Sequence, residues 1–176
     1  FSSQVSKLQA SGCDLVVLGT IIRETIGTIG TAKKMGYNPI FLGSSAAYTD
    51  LIHKLGGPAM NGLYATSTVQ NPYLDDASPA ISFWAKKYQT KFSEDPTVFS
   101  VYGYNIIDTF AKAAGKSGAN LSTESFIKAM DTMTIPPDIF GSAEATFSPT
   151  KRLGSDASRL SQITDGKWKP VSAYFK

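Results

Sequence analysis

The fold is decided by residues 15–20, Leu-Val-Val-Leu-Gly-Thr, an uninterrupted apolar run that ends in two small residues. Such a run predicts a strand covered on both faces, because a half-exposed strand would alternate apolar and polar residues. Before the run, residues 2–10 place apolar side chains at helical spacing. After it, a second helix is predicted from about Ile22 to Met35, and Gly36 terminates it. Helix, strand and helix in succession indicate an α/β fold with mainly parallel strands.

The alternation of strand and helix repeats further along the chain, and then the hydrophobic pattern changes. Residues 39–42 and 62–66 predict two more strands. After Asn71-Pro72 the chain becomes helical, and near residue 140 it returns to strands. These shifts indicate a chain that passes between two substructures. The remaining elements are predicted helices at about 49–55, 79–92, 102–116 and 123–133, and strands at 144–147, 159–164 and 168–175. The last two strands are joined by an Asp-Gly turn.

Composition excludes several classes of partner. The 176 residues are 42% hydrophobic and 18% charged, with a net charge of +3, which is typical of a globular domain. The basic residues are scattered singly or in pairs, so we predict no nucleic-acid partner. No apolar run is long enough to cross a bilayer. The chain also opens inside a predicted helix without an initiator Met, which we interpret as an excised or incomplete polypeptide.

Neither nucleotide binding nor catalysis is supported by the motifs. Gly115-Lys116-Ser117 resembles the end of a P-loop, but the required earlier glycine is Phe110. Gly43-Ser44-Ser45-Ala46-Ala47 falls one glycine short of a serine-hydrolase elbow. The one histidine, His53, is expected on a solvated helix surface. One His and one Cys offer no metal cluster. We therefore predict no enzymatic activity, no cofactor and no metal.

A binding site is expected instead where the first two strands end. In open α/β sheets, ligands bind beyond the carboxyl ends of the strands. Those ends carry Thr20, Ile21 and Arg23 after the first strand, and Ser44, Ser45 and Ala46 after the second. The hydroxyl-bearing residues are equally typical helix N-caps, so both interpretations stay open. The guanidinium of Arg23 could hold a carboxylate in a bidentate manner; the alternative is a surface ion pair with an acid such as Glu24.

Taken in order, these stretches resemble the carboxy-terminal half of the type 1 periplasmic binding proteins. The resemblance covers essentially the whole chain. It rests on 15–20, on Lys-Met-Gly-Tyr at 34–37, on 40–44 and 62–64, and on later segments that include Tyr-Gly-Tyr-Asn at 102–105 and Phe-Ser-Pro at 147–149.

The resemblance implies mainly parallel sheets flanked by helices, in two lobes of which the first is incomplete. Residues 1–72 would form part of the second lobe, 73–138 would be helices that cross back to the first, and 139–176 would be strands and a hairpin that join the two. It further implies a solute-binding component of an ABC transporter, which closes on a small carboxylic acid and docks on a membrane permease. Such a protein would be periplasmic, or extracellular and membrane-anchored. It would not be an enzyme and would not itself span the membrane.

Carried over by position, the ligand would contact Thr20, Ile21, Ser44, Ser45 and Ala46, with Phe99 and Tyr102 from the crossover region. In amino-acid-binding members, an acidic residue near the Ser45 position holds the ligand ammonium. Serine lacks that charge, so we expect an acid with a hydrophobic or aromatic body rather than a plain α-amino acid, although a branched-chain amino acid-like ligand is retained. The alternatives are a ligand-sensing domain of a regulator or receptor and, less favoured, an α/β hydrolase.

Overall fold

The computed structural model describes all 176 residues, which divide into two compact units. Unit 1 comprises residues 1–71 and 158–175, and unit 2 comprises residues 72–157 with Lys176. No helix is long and apolar enough to cross a membrane. The helices are α1 (Ser2–Ala10), α2 (Ile22–Lys34), α3 (Asp50–Gly56), α4 (Pro79–Phe92), α5 (Val98–Ser117) and α6 (Thr123–Met130). The strands are β1 (Leu15–Leu18), β2 (Ile40–Gly43), β3 (Tyr64–Ser67), β4 (Thr134–Ile135), β5 (Ala145–Thr146), β6 (Arg159–Thr164) and β7 (Lys167–Pro170).

Unit 1 is built on one five-stranded sheet in the order β1-β2-β3-β6-β7. The pairs β1–β2 and β2–β3 are parallel, whereas β3–β6 and β6–β7 are antiparallel. The mainly parallel α/β fold expected from the apolar runs is therefore confirmed for this unit. The two neighbours β3 and β6 are far apart in sequence, because the whole of residues 72–157 lies between them.

One face of this sheet is covered by helices and the other is open. On β1, Val16 and Leu18 are buried, whereas Leu15 and Val17 are 49% and 69% exposed. Helix α2 contacts both α1 and α3. The expectation that β1 is covered on both faces is therefore wrong for this chain, because all three helices of the parallel part lie on the same side.

The predicted hairpin forms at Asp165-Gly166. Both residues adopt positive φ, 52° and 71°, as a two-residue turn that matches the twist of its strands requires. Strand β6 has the predicted bounds, but β7 ends at Pro170, well before the predicted 175. Beyond Pro170 the chain still contacts β6 at Leu160, whose carbonyl accepts from the N–H of Val171 at 2.9 Å and whose N–H donates to the Ser172 hydroxyl at 2.8 Å. Phe175 then forms an isolated bridge with Ser158, just before β6.

A buried contact ties the hairpin to the helical layer. The indole of Trp168 packs on the ring of Tyr48, with centroids 5.1 Å apart. The hydroxyl of Tyr48 in turn accepts a hydrogen bond from the main-chain N–H of Asn71 at 3.0 Å. Tyr48 thus connects the segment after β2 both to the C-terminal hairpin, through Trp168, and to the end of residues 1–71, through Asn71.

Unit 2 contains helices α4, α5 and α6 and the β4–β5 pair. In α4, Ile81 and Ala85 are buried, Trp84 is half-buried and Phe92 is 54% exposed, so the apolar side of this helix is only partly interior. The ring of Trp84 packs edge-on against that of Phe140, with centroids 4.9 Å apart.

The start of α5 and the cap of α6 differ from expectation. Helix α5 begins at Val98, four residues before the predicted start, because the Thr97 side chain caps its N-terminus. At α6, Ser122 and Ser125 exchange hydrogen bonds between side chain and main chain, as a capping box does. The usual capping box has a glutamate or glutamine at the third helical position, and here the hydroxyl of Ser125 supplies the same acceptor.

Candidate functional site

The predicted ligand site lies where β1 and β2 end side by side. The main-chain N–H of Ser44 donates to the carbonyl of Leu18 at 3.1 Å, so the parallel ladder continues one step beyond β2. This bond brings the segment 19–21 next to the segment 44–46. Of the predicted site residues, the structure therefore brings together those that follow the two strands.

The segment 44–46 lies close to the sheet because Gly43 and Ala47 pack tightly against each other. A Cβ atom on Gly43 would lie 2.8 Å from that of Ala47, so only glycine permits this approach. The 3₁₀ turn Ser45–Ala47 follows directly, with Ala47 buried and Ser44, Ser45 and Ala46 exposed. Three small, accessible residues thus line this end of the sheet.

Neither strand end uses its hydroxyl as a helix cap. Ser44 occupies the N-cap position of the 3₁₀ turn, but its side chain makes no capping hydrogen bond. The hydroxyl of Thr20 lies 2.7 Å from that of the fully buried Thr25. The sequence left open whether these hydroxyl groups cap helices or contact a ligand. Thr20 and Ser44 do not form helix caps. Thr25, which fixes Thr20, was missed because a threonine inside an amphipathic helix carries no distinctive signal.

Ile21 gives the site an apolar surface. It is 63% exposed and extended, with φ −94° and ψ −161°, in the N-cap position of α2, where it has no side-chain hydrogen bond to offer. An exposed isoleucine next to exposed serines provides both apolar contact and hydroxyl groups. That combination suits a ligand with a hydrophobic body and a small polar head.

Arg23 forms the alternative interaction considered above, an ion pair with Glu24. Its Nε and its terminal nitrogen each lie 2.8 Å from Oε1 of Glu24, and its side chain is 87% exposed. The pKa of Glu24 is lowered, first by a hydrogen bond from its own main-chain N–H and then by that from Arg23. A carboxylate of the chain thus already occupies the first turn of α2, where the helix dipole favours negative charge.

Phe99 and Tyr102 belong to the other unit, at the start of α5. The main-chain N–H of Phe99 donates to the Thr97 hydroxyl at 3.2 Å, and its ring is 61% exposed. The two rings meet edge to face, with centroids 6.0 Å apart. They therefore form one aromatic pair, and its role in ligand binding stays a prediction.

His53 does not complete a catalytic site. It lies in α3 and is half-buried rather than solvated as expected. Its pKa is lowered, chiefly because burial disfavours the imidazolium, against the opposing charge of Asp50. Gly43 and Ser44 lead into the 3₁₀ turn Ser45–Ala47, whereas a nucleophile elbow leads directly into an α-helix.

Comparison with known proteins supports a binding fold. A family model described as periplasmic binding protein matches residues 1–167. No curated protein gives a significant match. Among solved structures, similar folds include a branched-chain amino acid ABC transporter protein from Thermus thermophilus with bound valine, at 17% identity and a TM-score of 0.82. This alignment covers 98% of the present chain and 48% of that chain.

Two further structures resemble the chain over the same extent. One is a leucine binding protein from Thermotoga maritima, at 16% identity and a TM-score of 0.77, covering 99% of this chain and 48% of that one. The other is a fatty acid ABC transporter substrate-binding protein from Thermomonospora curvata, at 22% identity and a TM-score of 0.81, covering 98% and 46%. The present chain thus spans about half the length of these solved structures.

Proposed function

Because this chain belongs to the periplasmic binding protein family, whose members bind solutes and are not enzymes, we propose that it serves an ABC transporter as its solute-binding component. In this role, a small carboxylic acid binds at the ends of β1 and β2, and two lobes close on it. The closed form then docks on a membrane permease. A ligand that contacts both lobes only when they are closed has the differential affinity that drives closure. A periplasmic or extracellular location follows from the same role.

The observation that carries this proposal is the exposed pair of strand ends. Ser44, Ser45 and Ala46 are accessible, and the two serine hydroxyls are available to a ligand carboxylate. Ile21 adds apolar surface beside them. Small residues also allow a ligand to approach the main chain closely, as binding at strand ends requires.

Site chemistry favours an acid without an ammonium group. Ser45 carries no charge, and the acid in the first turn of α2, Glu24, is engaged by Arg23 and by its own main-chain N–H. An ammonium group placed here would lack a charge-assisted hydrogen bond, worth about 1.5–3 kcal/mol. The similar solved structures are named for both amino acids and fatty acids, so they do not decide between the two ligand classes. The preference for an acid without an amino group rests on Ser45 and Glu24.

The test compares ligands that differ only in the amino group. Calorimetry would measure binding of 4-methylpentanoate against leucine, and of 3-phenylpropanoate against phenylalanine. We expect each plain acid to bind roughly 10- to 150-fold more tightly than its amino acid, the ratio that corresponds to about 1.5–3 kcal/mol. Tighter binding of leucine than of 4-methylpentanoate would contradict the proposed ligand class.

A substitution at Ser45 provides the reciprocal experiment. Ser45→Asp supplies a carboxylate, so it should raise the affinity for leucine and lower that for 4-methylpentanoate. Ser3→Asp, at an exposed position of α1, is the matched control and should change neither affinity. If both substitutions had the same effect, the change would reflect net charge, and the assignment of Ser45 to the site would fail.

A further inference from the structure

Two threonine hydroxyls meet at the end of β1. The side-chain oxygen of Thr20, which follows the strand, lies 2.7 Å from that of Thr25 in α2. Thr25 is fully buried, whereas Thr20 is half-buried. Neither side chain forms a hydrogen bond with any other group of the chain, so the two hydroxyls form an isolated pair.

Burial distinguishes the two ways in which this hydrogen bond can be directed. A hydroxyl has one proton to donate and two lone pairs with which to accept. If Thr20 donated, the proton of Thr25 would be buried without an acceptor, which costs more than an ordinary hydrogen bond gains. If Thr25 donates, the remaining proton belongs to Thr20, which is accessible enough to give it to a group outside the chain. The second arrangement is therefore the favoured one.

The Thr25 side chain bonds outside its own helix. A threonine within a helix commonly turns its hydroxyl to a main-chain carbonyl three or four residues earlier. Here the carbonyl of Ile21 accepts from the main-chain N–H of Thr25 at 3.0 Å, while the hydroxyl reaches Thr20 instead. The side chain of Thr25 thus acts on the residue that follows β1 and not on its own helix.

We infer that Thr25 is a positioning residue of the ligand site, an inference that rests on the proposed function. Its hydroxyl donates to Thr20 and leaves the proton of Thr20 for a ligand oxygen at the end of β1. A hydroxyl that already accepts a hydrogen bond is polarised and becomes a stronger donor. Thr20 thus offers an oriented proton to a carboxylate, whereas an ammonium group, which can only donate, gains nothing from that proton.

Proton NMR identifies the donor without any ligand. In uniformly labelled protein, a hydroxyl proton that exchanges slowly with water is assigned through its coupling to the Hβ of the same residue. We expect such a proton on Thr25 and none on Thr20, because a buried, donated proton is shielded from water. A slowly exchanging proton on Thr20, or the absence of one on Thr25, would overturn the inference.

A double-substitution cycle tests whether Thr25 acts through Thr20. Calorimetry should show that Thr25→Val weakens binding of 4-methylpentanoate roughly 2- to 12-fold, the ratio that corresponds to one hydrogen bond. In a Thr20→Val background, the same substitution should change the affinity by less than about twofold. Thr25→Ser keeps the hydroxyl and should bind within about twofold of the wild type. Thr28→Val, three residues further along α2, is the matched control and should leave the affinity unchanged.

The outcomes separate this inference from the proposed function. An equal loss of affinity from Thr25→Val with and without the Thr20 hydroxyl would overturn the inference, since the effect would not pass through Thr20. Failure of the unsubstituted protein to bind 4-methylpentanoate, with a slowly exchanging proton on Thr25, would contradict the proposed function and leave the donor assignment intact. The NMR measurement uses the unsubstituted protein, so it decides the donor even if a variant fails to fold.

Discussion

The indole N–H of Trp168 donates a hydrogen bond to the main-chain carbonyl of Thr49 at 2.9 Å, between residues 119 positions apart. Both residues are buried. The bond fixes the hairpin β6–β7 against the N-cap residue of α3, the helix that follows the segment of the proposed ligand site. It is therefore a long-range connection between the last part of unit 1 and the loop that carries Ser44 and Ser45.

Loss of this bond should destabilise unit 1. Trp168→Phe keeps an aromatic ring but leaves the buried carbonyl of Thr49 without this donor, which costs about 1–3 kcal/mol. Urea unfolding followed by circular dichroism would measure the change. Trp84→Phe is the control, because Trp84 packs in unit 2 through ring contacts. Equal destabilisation by both substitutions would show that ring size, and not the Thr49 bond, determines the effect.

The hairpin turn depends on a residue that tolerates positive φ. Gly166 has φ 71° with open space around its Cα, so an alanine there is strained by its backbone alone. Gly166→Ala should lower the free energy of unfolding by about 1–2 kcal/mol. Gly30→Ala, in the interior of α2 and also with open space, should instead raise it by roughly 0.5–1 kcal/mol. Thermal unfolding of both variants measures these opposite signs, and a loss at both sites would refute the conformational explanation.

Acid should destabilise the chain partly through Glu24. Its pKa in the folded protein is lowered by its own main-chain N–H and by Arg23. A lowered pKa contributes stability that is present above the unfolded-state value, about 4.3, and is lost as the pH falls through the folded-state value. Glu24→Gln should therefore lose less stability than the wild type between roughly pH 5 and pH 3.

Unfolding in urea at a series of pH values would measure that difference. Glu144→Gln, in unit 2, is the control for removal of a negative charge. A pH dependence for Glu24→Gln identical to that of the wild type would show that the carboxylate gains nothing from the first turn of α2.

The parts of the fold that depend on local pattern were predictable. The apolar run 15–18, the helix that starts at Ile22 and the Asp165-Gly166 turn each carry their signal within a few residues, and each appears as expected. The early start of α5 was missed because Phe99 and Val101 do not reveal which polar residue before them is the cap. The start of α5 is fixed by the Thr97 side chain, which accepts a hydrogen bond from the first turn of the helix.

The open sheet face could not be predicted for a different reason. A run such as Leu-Val-Val-Leu shows that a strand has two apolar faces, but not which part of the polypeptide covers each one. Side-chain partners were equally hidden: Arg23 can pair with a ligand carboxylate or with Glu24, and both interpretations fit the same residues. The strand ends thus predict where a site could lie, and that position stays a prediction, whereas the partner of each side chain is seen only in the folded structure.

The pairing of β3 with β6 has a consequence for the order of events during synthesis. Ser67 is aligned with Arg159, so the sheet of unit 1 stays incomplete until residues 159–164 have left the ribosome. Residues 72–157 are synthesised before β6 and can fold first as a separate unit. The β3 edge of residues 1–71 stays unpaired until β6 is synthesised. Contacts of such long sequence separation are slow to form, so β6 and β7 set the time at which the sheet of unit 1 is complete.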